Sequence, residues 1–76
     1  MSIQELARYY LSQGQTVRAA GLMLNLIETE PTPENLLLLA EIYARQGLHN
    51  QSAALHLRVV KAGLETKLFM QEEALR

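Results

Sequence analysis

The stretch LLLLAEIYARQG, residues 36–47, decides the fold, because the chain carries a version of it twice. Residues 3–14 read IQELARYYLSQG, at an offset of 33. Leu6 falls on Leu39, Ala7 on Ala40, Tyr10 on Tyr43, Gln13 on Gln46 and Gly14 on Gly47. The same offset lays Ala20 on Ala53, Leu22 on Leu55 and Leu24 on Leu57, with no gap between Gln4 and Val60. Similar pairs are Ile3 with Leu36, Leu26 with Val59 and Ile27 with Val60. Two helical hairpins stacked side by side explain such a pattern.

Each unit reads as two helices. Ile3, Leu6, Ala7 and Tyr10 recur at three- and four-residue spacing and so share one helical face. Gly14 breaks that pattern, as a residue just past a helix end does. Thr16 is a candidate N-cap for a second helix running to about Glu28. Thr32-Pro33-Glu34 combines a capping hydroxyl, a proline at the first helical position and an acid in the first turn. The third helix then turns Leu36, Leu39, Ala40 and Tyr43 inward and stops near Gly47, and Asn50 caps a fourth that ends at Gly63. Expected helices therefore cover residues near 3–13, 16–29, 33–46 and 50–62. A fifth, residues 65–75 with Leu64, Leu68 and Leu75 as its apolar positions, is expected to cover the open end of the stack.

The two units resemble tetratricopeptide repeats. Unit one offers Ile3, Leu6-Ala7, Tyr10, Ala19, Met23 and Pro31 at that family's spacing. Unit two offers Leu36, Leu39-Ala40, Tyr43, Ser52 and His56. It departs at Leu64, where the terminal proline is expected, and at His56, where a large apolar residue is usual. The resemblance implies an all-α single domain: two stacked hairpins, repeat one at 2–31 and repeat two at 33–64, with a C-terminal capping helix at 65–75. It also implies a concave groove built from the first helix of each repeat. Gln4, Arg8, Leu11 and Ser12 would face it from unit one, and Glu34, Leu37, Glu41, Ala44 and Arg45 from unit two.

Composition narrows the function classes. The chain has 76 residues, 49% of them hydrophobic but only 5% aromatic, so leucine and alanine supply the apolar content. It has no cysteine, which removes disulfides and thiolate metal sites. The net charge of −1 argues against a phosphate-binding nucleic-acid module. The longest apolar run, Leu36 to Ala40, is far short of the ~20 residues that span a bilayer, so no membrane insertion is expected. The opening Met1-Ser2-Ile3-Gln4-Glu5 has no basic region followed by a long apolar one, and a cytoplasmic location is expected.

Catalytic chemistry has little to draw on. His49 and His56 lie seven apart, roughly 10.5 Å along a helix, with Ser52 and Ala53 between them, which does not make a chelate. Glu72 and Glu73 are adjacent and point apart on a helix. The glycines at 14, 21, 47 and 63 are isolated and form no phosphate loop. No catalytic, cofactor or metal residue is expected, and the chain is not expected to be an enzyme.

The informative feature is a surplus of leucine. Helix two reads Val17, Ala19, Ala20, Leu22, Met23, Leu24, Leu26 and Ile27, apolar nearly all round. Helix four repeats this with Ala53, Ala54, Leu55, Leu57, Val59 and Val60. Five short helices cannot cover every such face, and a large uncovered apolar patch marks an interaction site. Expected partner-binding residues are Arg8, Leu11, Leu37, Glu41, Ala44 and Arg45 in the groove, with Leu22, Leu24, Leu55 and Leu57 on the second helices. Acids at Glu34 and Glu41 argue against a clamp for a peptide carboxylate and suit a groove that takes an amphipathic helix.

In size, repeat number and apolar surplus the chain resembles small tetratricopeptide-like chaperones of type III secretion needle subunits. That implies a partner presenting an amphipathic helix, with room for a second co-chaperone. The alternative from another class is a structural homodimer whose repeats stack across a two-fold axis. A third reading makes residues 65–76 the start of a further repeat in a longer array.

Overall fold

The fold was obtained as a computed structural model that describes the backbone of residues 1–75 and the side chains of residues 1–67. It is all-α. Four helices follow one another: α1 (Ile3–Ser12), α2 (Thr16–Thr29), α3 (Pro33–Arg45) and α4 (His49–Leu75). Each packs on the next, and α1 also touches α3, whereas among the described residues α2 and α4 make no close approach.

The two inter-helix turns at the repeated glycines have the same construction. Gly14 and Gly47 adopt φ of +76° and +79°, in the left-handed region that only glycine enters without strain. At the first, the Gln15 amide donates to the Tyr10 carbonyl at 2.8 Å and the Gly14 amide to the Leu11 carbonyl at 3.1 Å. At the second, Leu48 donates to Tyr43 at 2.9 Å and Gly47 to Ala44 at 3.1 Å. Both are Schellman closures, and the 33-residue offset maps one onto the other bond for bond.

One core runs through the stack. Ala7, Ala19, Ala40, Met23, Leu39 and Ile42 are essentially without solvent contact, and Leu11, Ala20, Leu26, Leu36, Leu38 and Leu55 complete it. Ala7 and Ala40 are the paired small residues that allow close helix approach. At the Ala19 position unit two has Ser52, whose buried hydroxyl donates to the Ala40 carbonyl at 2.8 Å and so satisfies itself across α3 and α4.

Capping differs in detail from expectation. Thr32 caps α3 as expected, its hydroxyl accepting from the Asn35 amide at 3.3 Å. Ser2 caps α1 in the same way, accepting from Glu5 at 3.1 Å. Thr16 is not a cap: it is the first residue of α2, preceded by Gln15, which makes no side-chain cap bond. Asn50 lies inside α4, which begins at His49 with the Ser52 amide bonded to the Leu48 carbonyl.

The expected fifth helix does not exist as a separate element. α4 runs 27 residues without a break, from His49 through Gly63 to Leu75, about 40 Å of helix. The offset explains why. Glu30-Pro31-Thr32-Pro33, which ends α2, becomes Gly63-Leu64-Glu65-Thr66, with both prolines gone. A proline removes an amide donor and restricts the residue before it; a lone glycine costs only ~1 kcal/mol and does not stop a helix. Val60 through Lys67 are exposed, so this stretch of α4 covers nothing in the stack. The side chains of Leu68 and Leu75, part of the expected cover, lie outside the described residues.

Candidate functional site

The groove sits between α3 and α4, with Arg8 of α1 reaching its edge. Arg8 from α1, Glu34, Leu37, Leu38 and Glu41 from α3, and His56 from α4 line an open cleft of about 440 Å³. The helical period places Glu34, Leu37 and Glu41 in one row of α3, at spacings of three and four. Leu37 is 40% exposed, a large apolar side chain that lines the cleft beside the buried Leu38 and among polar and charged residues. Its neighbours Leu36 and Leu38 are buried.

Glu41 is the electrostatic centre of the cleft. Its two carboxylate oxygens face Arg8 Nη1 at 3.9 Å and Arg45 Nη2 at 3.6 Å. All three side chains are well exposed, so these pairs contribute little to stability and leave the groove rim free to rearrange. Gln4 joins α1 to α3 more firmly. Its amide nitrogen donates to Asn35 Oδ1 at 3.0 Å, while Asn35 Nδ2 donates to the Glu30 carbonyl at 2.8 Å. Asn35 is fully buried and ties the α2–α3 connection to α1.

The structure brings together Arg8, Leu37 and Glu41, with Arg45 held beside them by Glu41 and Ala44 exposed on the same helix. It removes Leu11 from the groove surface. Leu11 lies four residues from Ala7, on the core side of α1, and is only 6% exposed. Leu55 likewise belongs to the core, leaving Leu24 and Leu57 exposed and Leu22 half-buried. Leu22 and Leu24 stand on α2 and Leu55 and Leu57 on α4, two helices whose backbones do not approach each other closely among the described residues, and Leu55 is buried, so the four are not a single exposed patch.

His56, not among the expected partner-binding residues, is exposed and lines the cleft. A second, smaller cleft of about 330 Å³ lies between Tyr10, Arg18, Gly21, Leu22 and Asn25, with the Arg18 guanidinium 5.8 Å from the Tyr10 ring centre. Among the described residues no three His, Cys, Asp or Glu side chains gather around a common point. No described helix is long and apolar enough to cross a membrane.

Comparison with family models, with curated proteins and with solved structures finds no match for this chain.

Proposed function

We propose that the chain is a non-enzymatic protein-interaction module that receives an amphipathic helix of a partner protein in the groove on α3. The observation that carries this reading is Leu37: an exposed leucine flanked by buried ones, in a cleft it lines with Leu38, Arg8, Glu34, Glu41 and His56. A cleft of apolar and charged side chains matches the two faces of an amphipathic helix. The resemblance of the two units to tetratricopeptide repeats supports the same reading. Its more specific form is a small cytoplasmic chaperone that shields the self-associating helix of an export substrate such as a needle subunit until secretion.

The test is Leu37→Glu, co-expressed with the small helical export subunits of its own host, with Leu39→Glu as the control. Leu39 is 1% exposed and its replacement should unfold the chain. Leu37→Glu should keep the far-ultraviolet helicity and weaken the complex at least tenfold. A lost leucine contact is worth about 1.5–3 kcal/mol, and the introduced carboxylate must also be desolvated. Loss of helicity in Leu37→Glu, or a complex of unchanged affinity, would remove the groove from consideration.

A second reading, a homodimer, is favoured by a different observation. Leu57, Val60 and Leu64 are 65%, 56% and 56% exposed and lie at spacings of three and four along α4. Sedimentation of the purified chain alone separates the two: a tight dimer broken by Leu57→Glu supports self-assembly, and a monomer supports the partner.

A further inference from the structure

The inference here rests on the helix-binding reading and names the helix. The first half of the molecule already contains a helix seated against two others, α3 on α1 and α2. On that seat Gln4 bonds to Asn35, Arg8 pairs with Glu41, and Leu11, Ala20 and Met23 are buried. Shifted by 33, these residues become Leu37, Glu41, Ala44, Ala53 and His56. Leu37, Glu41 and His56 line the open groove, and Ala44 and Ala53 are exposed. Ile27, half-buried in α2, becomes the exposed Val60. The groove between α3 and α4 is thus the repeat-related counterpart of the seat of α3, with no helix of the described residues in it.

The way α3 fills its own seat shows what the second seat takes. Asn35, Leu38 and Ile42 are buried, whereas their counterparts on α1, Ser2, Glu5 and Tyr9, are exposed, with no described helix packed on that face. Positions 35, 38 and 42 therefore form the ridge with which α3 meets the helices before it, spaced three and four apart on one face. The rim differs between the seats. Glu41 of α3 met Arg8 in the first, but an entering helix meets Glu41 itself in the second, with Glu34 alongside.

Two occupants are disfavoured. The chain's own residues 65–75 continue α4 instead of turning onto it, and the offset would put Glu72 and Glu73 at the places of the buried Leu39 and Ala40. In a second copy, Ile3 of α1 would suit the place of Leu36, but Glu5 would be pressed into the apolar place of Leu38. Burying an unpaired carboxylate there is costly.

We infer that the α3–α4 groove binds a helix from a different protein that docks as α3 docks on α1 and α2. That helix carries a small or aliphatic residue opposite Leu37, which cannot offer the hydrogen bond that Gln4 gives Asn35, an aliphatic residue three positions on, a lysine or arginine at six, and an aliphatic residue at seven.

The probe is a fluorescent peptide of residues 31–46 of this chain, titrated with the 76-residue chain. A second peptide carries Glu41→Lys and a third Leu38→Glu. The parent peptide should bind saturably but weakly, since a short isolated helix must be ordered on binding. The Glu41→Lys peptide should bind severalfold tighter at low salt and lose that gain at high salt. Leu38→Glu in the peptide, and Ala53→Glu or Val60→Glu in the protein, should each weaken binding at least tenfold. Circular dichroism must show both protein variants as helical as the parent. A peptide that does not bind, or binding indifferent to both protein variants, overturns the inference. So does a chain that dimerises alone and is made monomeric by Val60→Glu, since a second copy then fills the seat. If Leu37→Glu releases the natural partner while peptide binding ignores Ala53 and Val60, the groove reading stands and this docking mode falls.

Discussion

At the residue scale the four glycines divide into two kinds, and stability measurements should separate them. Gly14 and Gly47 hold positive φ and close the two Schellman turns. Gly21 and Gly63 lie within α2 and α4, and a methyl group added at either would meet nothing within 4 Å. Alanine at 21 or 63 should therefore raise the unfolding free energy by about 0.5–1 kcal/mol each. Alanine at 14 or 47 should lower it by roughly 1–2 kcal/mol, because a Cβ is strained in the left-handed region. Urea titrations of the four single variants provide the comparison, and a destabilising Gly21→Ala would show that a close approach is required there. The turn glycines were legible in the sequence because both repeats carry them at the same place. Asn35 was not. In the first turn of a helix an asparagine reads as a surface residue, and its burial rests on Gln4, 31 positions away, together with the Glu30 carbonyl.

At the scale of elements, the first three and a half helices follow from the 33-residue match, and the end of α4 does not. Periodicity locates apolar faces well, but it does not say whether a helix stops. Stopping depends on capping and on proline, and Gly63 alone supplies neither. The small residues at helix crossings give a direct check on the alignment. Ala7 and Ala40 are both fully buried and equivalent by the offset. Replacing either with leucine should force the hairpin apart and cost about 1–3 kcal/mol. Parent-like midpoints for both variants in thermal melts would mean that the two hairpins do not pack through these alanines. Arg8, Leu37 and Glu41 were expected at the groove from the resemblance to tetratricopeptide repeats and do line the cleft, whereas Leu11 was misplaced because it lies near the boundary between groove and core faces. Its counterpart Ala44 stays exposed, so the difference between the two positions comes from the neighbouring helix and not from the local sequence.

At the scale of the whole molecule, α4 sets the shape. A compact chain of this length has a radius of gyration of about 11 Å. Here the Cα radius is 14.7 Å and the long axis 51 Å, three times the shortest extent of 17 Å. The helices before α4 form the stack, and α4 carries its exposed apolar row, Leu57, Val60 and Leu64, out along its length. Small-angle scattering of the monomer at low concentration should return a radius near 15 Å and a distance distribution with an extended tail. Spin labels at positions 49 and 67, both exposed on α4, should lie about 27 Å apart along the helix axis, with a single narrow distribution. A chain that bends at Gly63 to cover its own stack would instead give a radius close to the compact value and a shorter, broader label distance. The concentration series matters as much as the single curve. An apolar row this exposed has a free-energy incentive to be covered, so a radius that rises with concentration assigns the cover to a second copy. One that stays constant leaves the row and the adjoining seat of Ala53, His56 and Val60 open for a partner.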